Sequence, residues 1–149
     1  TLTRHQGFRE SGSAHGIDNP FPNPVNFVYI FIGGGLGAVS RFALSSAVQT
    51  LAEQTRLHRI PVGILACNLL GSFLIGALFG YIASRSEGHP TWLHPFAVTG
   101  FLGAFTTFST FALDTQKLFS SSPLLAIINI AASVIGCLAA VWLGFKLAS

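Results

Sequence analysis

The sequence predicts an all-α membrane protein with four transmembrane helices, and two observations lead to this. Half of its 149 residues are hydrophobic and only 9% are charged, whereas soluble domains carry about 25% charged residues. Four apolar spans occupy most of the chain, and each is close to the length of about 20 residues that a helix needs to cross a bilayer. They cover residues 25–48, 60–83, 95–113 and 124–147.

The first 24 residues differ from the rest of the chain. They are polar and rich in Gly, Pro, Ser and His, with no apolar core of signal-peptide length. Such a segment has too little apolar surface to fold, so we predict a disordered extension over 1–24 and a transmembrane domain over 25–149. His5 and His15 could bind a metal, but solvated histidines in a tail are the commoner case.

The first span is built for close helix contact. Gly33, Gly37 and Arg41 recur every four residues, and small residues at this spacing let helices approach in lipid. Arg41 lies well inside the span, where an ionisable residue is a functional candidate by default. Its long side chain can also reach the interface, and we predict a structural or vestibule role for it.

The second span carries a similar stripe of small residues and one amide. Ser72, Gly76 and Gly80 are four residues apart, and Asn68 lies near the middle of the span. A buried amide without a partner is costly. The Asn68 side chain therefore either donates to an anion or forms hydrogen bonds with a neighbouring helix, and the sequence leaves both roles open.

The third span contains the sequence Gly-Phe-Leu-Gly-Ala-Phe-Thr-Thr-Phe-Ser-Thr-Phe at 100–111. Neighbouring glycine and threonine favour a break in the helix near the middle of the span. A break would free the carbonyl oxygens of Gly103 and Thr106, and unwound carbonyls in broken membrane helices hold Na⁺. The alternative is an intact helix in which a threonine hydroxyl bonds back to the preceding turn.

After the proposed break, the third span carries phenylalanines and hydroxyls in register. Phe108 and Phe111 are three apart and share a helix face, and the positive edge of an aromatic ring can line a path for a small anion. Packing against lipid or another helix is the commoner use of phenylalanine. Thr106, Ser109 and Thr110 form a stripe of hydroxyls on the same segment.

The fourth span is predicted to begin at the serines before Pro123, because hydroxyl caps and proline favour helix starts. Asn129, Ser133 and Cys137 recur every four residues along it. Cys67 and Cys137 both lie inside apolar spans, so neither indicates a disulfide framework.

The loop charges give almost no preferred orientation. Four spans would place Arg and Lys residues in similar numbers on the two sides of the membrane. An excess of these residues on one side is what normally sets the orientation of a membrane protein. We therefore predict that the chain inserts both ways and forms an antiparallel homodimer, whose site lies near the bilayer midplane. One side carries Arg4, Arg9, Arg85 and Lys146, and the other carries Arg56, Arg59 and Lys117.

Several classes of function are disfavoured by the sequence. The small net charge of +3 is spread out, so nucleic-acid binding is not expected. No phosphate loop, metal-ligand pair or nucleophile with a nearby base indicates an enzyme. No Asp or Glu lies deep in a span, which argues against a proton-coupled exporter.

Three segments together resemble the small bacterial fluoride-channel family (Fluc, also called CrcB). They are the Gly-Gly-Gly-Leu-Gly-Ala-Val-Ser-Arg-Phe segment at 33–42, the asparagine-containing segment at 63–76, and 100–111. The resemblance covers about 25–147. It implies passive F⁻ export across the bacterial inner membrane by a dual-topology dimer with two pores. The alternative function is a small dual-topology exporter of cations or drugs, which would need an intramembrane carboxylate.

The resemblance also assigns roles to particular residues. A central structural Na⁺ would be bound by the carbonyls of Gly103 and Thr106. Arg41 matches the family arginine of the first helix, and Asn129 departs from a tyrosine that some members carry in the fourth helix. The implied ion pathway comprises Asn68, Phe108, Phe111, Ser109 and Thr110.

Overall fold

The computed structural model describes residues 23–55, 59–85 and 88–149. Within these ranges the chain is helical and contains no strand, which confirms the predicted all-α class. The predicted N-terminal extension, apart from Asn23 and Pro24, lies outside the described residues, as do His5 and His15. The elements are α1 (Pro24–Glu53), α2 (Val62–Ala83), a π-helix (His94–Leu102), α3 (Gly103–Phe105), α4 (Phe108–Ser121) and α5 (Pro123–Ala148).

Four helical spans in the described chain are long and apolar enough to cross a membrane, as predicted. They are α1, α2, the interrupted span His94–Ser121 and α5, with mean hydropathies between 1.5 and 2.5. The third span is longer than expected, because α4 continues as an amphipathic helix past the apolar run. Asp114 therefore lies within α4, and its carboxylate is 3.4 Å from the Lys117 ammonium.

Glycines bring the helices into backbone contact. A methyl group added at Gly33 or Gly37 would collide with backbone carbonyls of the π-helix, so α1 packs directly on that helix. A methyl at Gly76 would meet the carbonyl of Val141, and one at Gly144 would meet the backbone of α2. The predicted small-residue stripes of the first and second spans thus form two close helix pairs, α1 with the π-helix and α2 with α5.

The predicted start of the fourth span is confirmed, but its serines act differently from expectation. Ser122 is extended (φ −159°, ψ 96°) and precedes Pro123 at the start of α5, without a side-chain capping bond. The Ser120 and Ser121 hydroxyls instead donate to carbonyls of the last turn of α4. Proline and the extended residue before it therefore define this start, and the hydroxyls close the preceding helix.

Large apolar side chains point away from the protomer. Phe31, Phe42 and Val39 expose 83%, 75% and 69% of their surfaces. Soluble monomers rarely leave large contiguous apolar areas uncovered, whereas lipid-facing helices carry such side chains outside. The core between the helices is correspondingly small and consists of glycines and short side chains together with Leu102, Phe105 and Leu118.

Candidate functional site

The third span is broken at Thr106 and Thr107. Thr106 has φ −88° and ψ 156°, and Thr107 has φ −152° and ψ 117°, so both residues are extended between two helices. The nine residues before α3 are wound as a π-helix, a rare form that is often found at functional sites. The break predicted from glycine and threonine is therefore present, and the π-helix leading to it was not foreseen.

The side chain of Asn68 replaces helix hydrogen bonds at the break. The Thr107 N–H donates to Asn68 Oδ1 at 2.8 Å, and Asn68 Nδ2 donates to the Thr107 carbonyl at 3.2 Å. Of the two roles left open for Asn68, hydrogen bonding between helices is thus observed. A primary amide has two N–H donors, so one N–H remains beyond this bond for a ligand.

Thr107 organises the hydroxyls that follow the break. Its Oγ1 accepts from the N–H of Thr110 at 3.3 Å, which makes it the N-cap of α4. The hydroxyl oxygens of Ser109 and Thr110 lie 3.3 and 3.1 Å from the same atom. Thr107 is absent from the residues singled out by sequence, although threonine before a helix is a recognised cap signal. The hydroxyls of Ser109 and Thr110 are therefore fixed by a residue that the sequence interpretation missed.

Thr106 combines two features that the sequence treated as alternatives. Its hydroxyl donates to the Leu102 carbonyl at 3.0 Å, one turn back, and yet the helix ends at this residue. The Thr106 methyl occupies the space beside Gly71 on α2, where a Cβ would collide with it. The back-bonded hydroxyl thus closes the first half of the span, and the glycine admits the threonine side chain.

The carbonyls of Gly103 and Thr106 have lost their regular helical donors. The N–H groups four residues on, those of Thr107 and Thr110, donate instead to the side chains of Asn68 and Thr107. The backbone at Gly103 is exposed on the protomer surface. These oxygens therefore suit a hard cation, which takes oxygen ligands. Among the described residues no group of His, Cys, Asp or Glu offers a competing metal site.

A cleft of about 510 Å³ runs along the break and brings most of the candidate residues together. The rings of Phe108 and Phe111 are 5.5 Å apart at an angle of 50°, so they share one face as predicted. The polar groups of the lining are an amide, hydroxyls and one thiol. Besides apolar residues of the π-helix, α2 and α5, the cleft is lined by Asn68, Gly71, Ser72, Gly103, Thr106, Thr107, Phe108, Phe111, Ser133 and Cys137.

Three of the singled-out residues lie outside this lining. The hydroxyls of Ser109 and Thr110 contact Thr107, which lines the cleft, but do not line it themselves. Arg41 is half-buried on α1, where its carbonyl lies 3.7 Å from the Cys67 sulfur. Ser72 and Ser133 line the cleft instead. Ser72 follows Asn68 by four residues, and Ser133 follows Asn129 by four, so the sequence places each pair on one helix face. The sequence does not show that these faces lie against the break.

A second groove of about 660 Å³ lies at one end of the helices. It contains acidic and basic side chains, including the neighbouring Asp114 and Lys117. Arg59 and Glu53 also line it. Opposite charges are mixed here, so the groove has no single sign that would identify a ligand.

The chain is similar to a known protein family along most of its length. The model of the family described as "CrcB-like protein, Camphor Resistance (CrcB)" matches residues 28–145, which include most of the first and fourth spans, all of the second and third, and the break. The chain belongs to the CrcB family. The resemblance recognised in the three sequence segments is confirmed.

Curated relatives cover almost the whole transmembrane domain. The protein named Fluoride-specific ion channel FluC from Francisella philomiragia is 46% identical over 122 residues, which are 79% of this chain and 90% of the relative. The one from Hahella chejuensis is 45% identical over 82% and 93% of the two chains. The one from Magnetococcus marinus is 42% identical over 80% and 94%. These relatives bear the name of an ion channel and not of an enzyme, and this CrcB protein is a multi-pass membrane protein.

Proposed function

We propose that this CrcB protein is a fluoride channel that lets F⁻ leave the cytoplasm passively across the cell membrane. The observation that carries the proposal is the cleft at the helix break, where the Asn68 amide and the rings of Phe108 and Phe111 face the same space. Relatives that are more than 40% identical to this chain over the aligned residues are named fluoride-specific ion channels.

The lining of the cleft suits a strongly hydrated small anion. F⁻ must exchange water for other donors, and conduction requires binding weak enough for the ion to leave. The described lining contains no Lys, Arg or His that would hold an anion as a fixed positive charge, and no Asp or Glu that would repel it. The free N–H of Asn68, hydroxyls and positive ring edges are weak donors in series along one route.

The outward direction of the proposed fluoride transport follows from acid–base chemistry. Fluoride that enters from acidic surroundings as neutral HF ionises in the less acidic cytoplasm and accumulates there. A passive pathway then lets F⁻ run down its own gradient, so no energy-coupling group is needed. The proposed transport therefore requires neither a titratable carboxylate in the cleft nor a nucleotide site.

We propose that the working unit is an antiparallel homodimer in which the partner covers the cleft. Phe108 is 78% exposed in the protomer although it lines the cleft. Non-helical backbone at membrane depth is tolerated only where protein or water covers it, and the break would otherwise meet lipid. The near balance of Lys and Arg on the two sides supports opposite insertion of the two copies.

We further propose that the dimer binds one structural Na⁺. The carbonyl oxygens of Gly103 and Thr106 would hold it, because both have lost their usual donors and Gly103 is exposed on the surface that a second copy would cover. When bound, the cation would supply positive potential near the midplane. The residues of this chain contribute the oxygens, and the π-helix and Asn68 keep them in place.

Fluoride efflux from liposomes tests the proposal. Purified protein is reconstituted in vesicles loaded with potassium fluoride, valinomycin is added, and external F⁻ is followed with a fluoride electrode. Efflux well above that of protein-free vesicles supports the channel. A preparation that fails to release F⁻ but moves an organic cation when a pH gradient is applied would instead identify the exporter.

A further inference from the structure

The helices before and after the break pack against different helices of the protomer. The π-helix packs along α1, whereas α4, which carries Phe108 and Phe111, makes most of its contacts in the described protomer with α5. The position of the two rings over the cleft therefore depends on how α4 lies against α5.

One buried polar pair joins these two helices. Asn129 on α5 is 2% exposed and Thr115 on α4 is 6% exposed. Asn129 Nδ2 donates to Thr115 Oγ1 at 2.8 Å. Their neighbours in this interface are apolar, as Leu118 and Ala126 show. A polar pair in such surroundings allows one relative arrangement of the helices, because any slip leaves buried polar groups without partners.

Thr115 and Asn129 also lie on the same helix faces as residues that line the cleft. The chain reverses at Ser122, and Thr115 and Asn129 are each seven residues from it. Moving away from the turn, Phe111 and Ser133 are each eleven residues from Ser122, and both line the cleft. One more turn along, Phe108 and Cys137 face the same cleft. The bonded pair and the lining residues thus lie on the same two helix stripes.

We propose that Thr115 and Asn129 are positioning residues, whose hydrogen bond sets the register of the α4–α5 hairpin and thereby holds Phe108 and Phe111 opposite Ser133 and Cys137. This inference rests on the proposed fluoride conduction for its functional readout. Thr115 is four residues, or about 6 Å of helix, beyond Phe111, so a slip or rotation at the pair is passed directly to the rings.

The first test compares Thr115→Val with Thr115→Ser. Valine has nearly the shape of threonine and removes the hydroxyl, whereas serine keeps it. Hydrogen bonds between membrane helices have measured strengths that correspond to roughly threefold to twentyfold in an equilibrium. We expect Thr115→Val to lower fluoride efflux per reconstituted dimer by a factor in that range and Thr115→Ser to stay near wild type. The control Ser120→Ala, at an exposed hydroxyl of the same helix, should change nothing.

A double substitution separates positioning from folding. In Thr115→Val with Asn129→Leu, both polar partners are replaced by apolar groups, which leaves no buried donor or acceptor unpaired and can be nearly neutral for stability. We expect the dimer to form with a melting temperature close to that of wild type, while efflux remains lowered. Combined with Phe111→Ile, Thr115→Val should add little further loss, because it acts through the ring. Full efflux in the double variant, or a full additional loss in the Phe111→Ile background, would overturn the proposal.

A readout without fluoride keeps this inference distinct from the proposed function. Cys137 is a half-buried thiol in the cleft, and Cys67 is fully buried. A changed register should alter the rate at which a maleimide labels Cys137 by at least about threefold in Thr115→Val, and not in Thr115→Ser. If wild-type protein releases no F⁻ but this labelling changes, the channel proposal fails and the register pair stands. If wild-type efflux is normal and neither efflux nor labelling responds to Thr115→Val, the pair has no positioning role.

Discussion

Asn68 on α2 bonds to both backbone polar groups of Thr107, accepting from its N–H at 2.8 Å and donating to its carbonyl at 3.2 Å. This pairing resembles one rung of a β-ladder formed by a side chain. It supplies partners to backbone groups that the helix break would leave without them, which is a requirement inside a membrane. The residue expected to meet the ion is thus also a residue that maintains the break.

Asn68→Ala should weaken both the fold and transport. It removes two hydrogen bonds and leaves the Thr107 N–H and carbonyl unpaired, at a cost of about 1–3 kcal/mol. We expect a lower melting temperature for the purified protein and a reduced fluoride efflux per dimer. Ser72→Ala, which removes a hydroxyl one turn away in the same cleft, should leave the melting temperature unchanged. An unaltered melting temperature for Asn68→Ala would show that the pairing does not stabilise the break.

Phe108→Ile and Phe111→Ile should reduce fluoride efflux while leaving a folded dimer. Isoleucine keeps the apolar volume but lacks the positive ring edge, so we expect a loss of up to about tenfold in efflux, which corresponds to about 1.4 kcal/mol. Efflux with the fluoride electrode measures this, with Phe119→Ile as the matched control, because Phe119 is a partly exposed ring on the same helix outside the cleft. Efflux at the wild-type rate in both cleft variants would show that the rings are not part of the ion pathway.

Gly76→Ala should destabilise the pair formed by α2 and α5. The added methyl would collide with the Val141 carbonyl, and overpacking of this kind costs about 1–3 kcal/mol. Thermal unfolding in detergent measures the effect. Gly35→Ala is the control, since a methyl there meets nothing within 4 Å in the protomer and alanine favours helix. Equal melting temperatures for the two variants would contradict the backbone contact.

Removal of Na⁺ should impair the assembled protein. If the carbonyls of Gly103 and Thr106 hold the cation between two copies, replacing Na⁺ by N-methylglucamine throughout purification should lower the fraction of dimer and the fluoride efflux together. Re-addition of Na⁺ should restore both, and K⁺ at the same ionic strength should not. Dimer and efflux that are indifferent to Na⁺ would exclude a structural role for the ion.

The sequence by itself determined the fold class, the four spans and the place of the break. Apolar length and low charge content indicate helices that cross lipid, and glycine beside threonine marks where a helix can end inside the membrane. These signals are local, so they can be read without knowing what packs where. The family could also be recognised from the segments at 33–42, 63–76 and 100–111, and the family match over residues 28–145 confirms it.

The tertiary structure decided what the polar side chains do. The partner of Asn68 is Thr107, thirty-nine positions away, and that of Asn129 is Thr115 across a turn. A hydrogen bond between two helices depends on their rotation and register, which residue spacing within either helix does not specify. For the same reason the sequence pointed to Ser109, Thr110 and Arg41, whereas the cleft is lined instead by Thr107, Ser72 and Ser133.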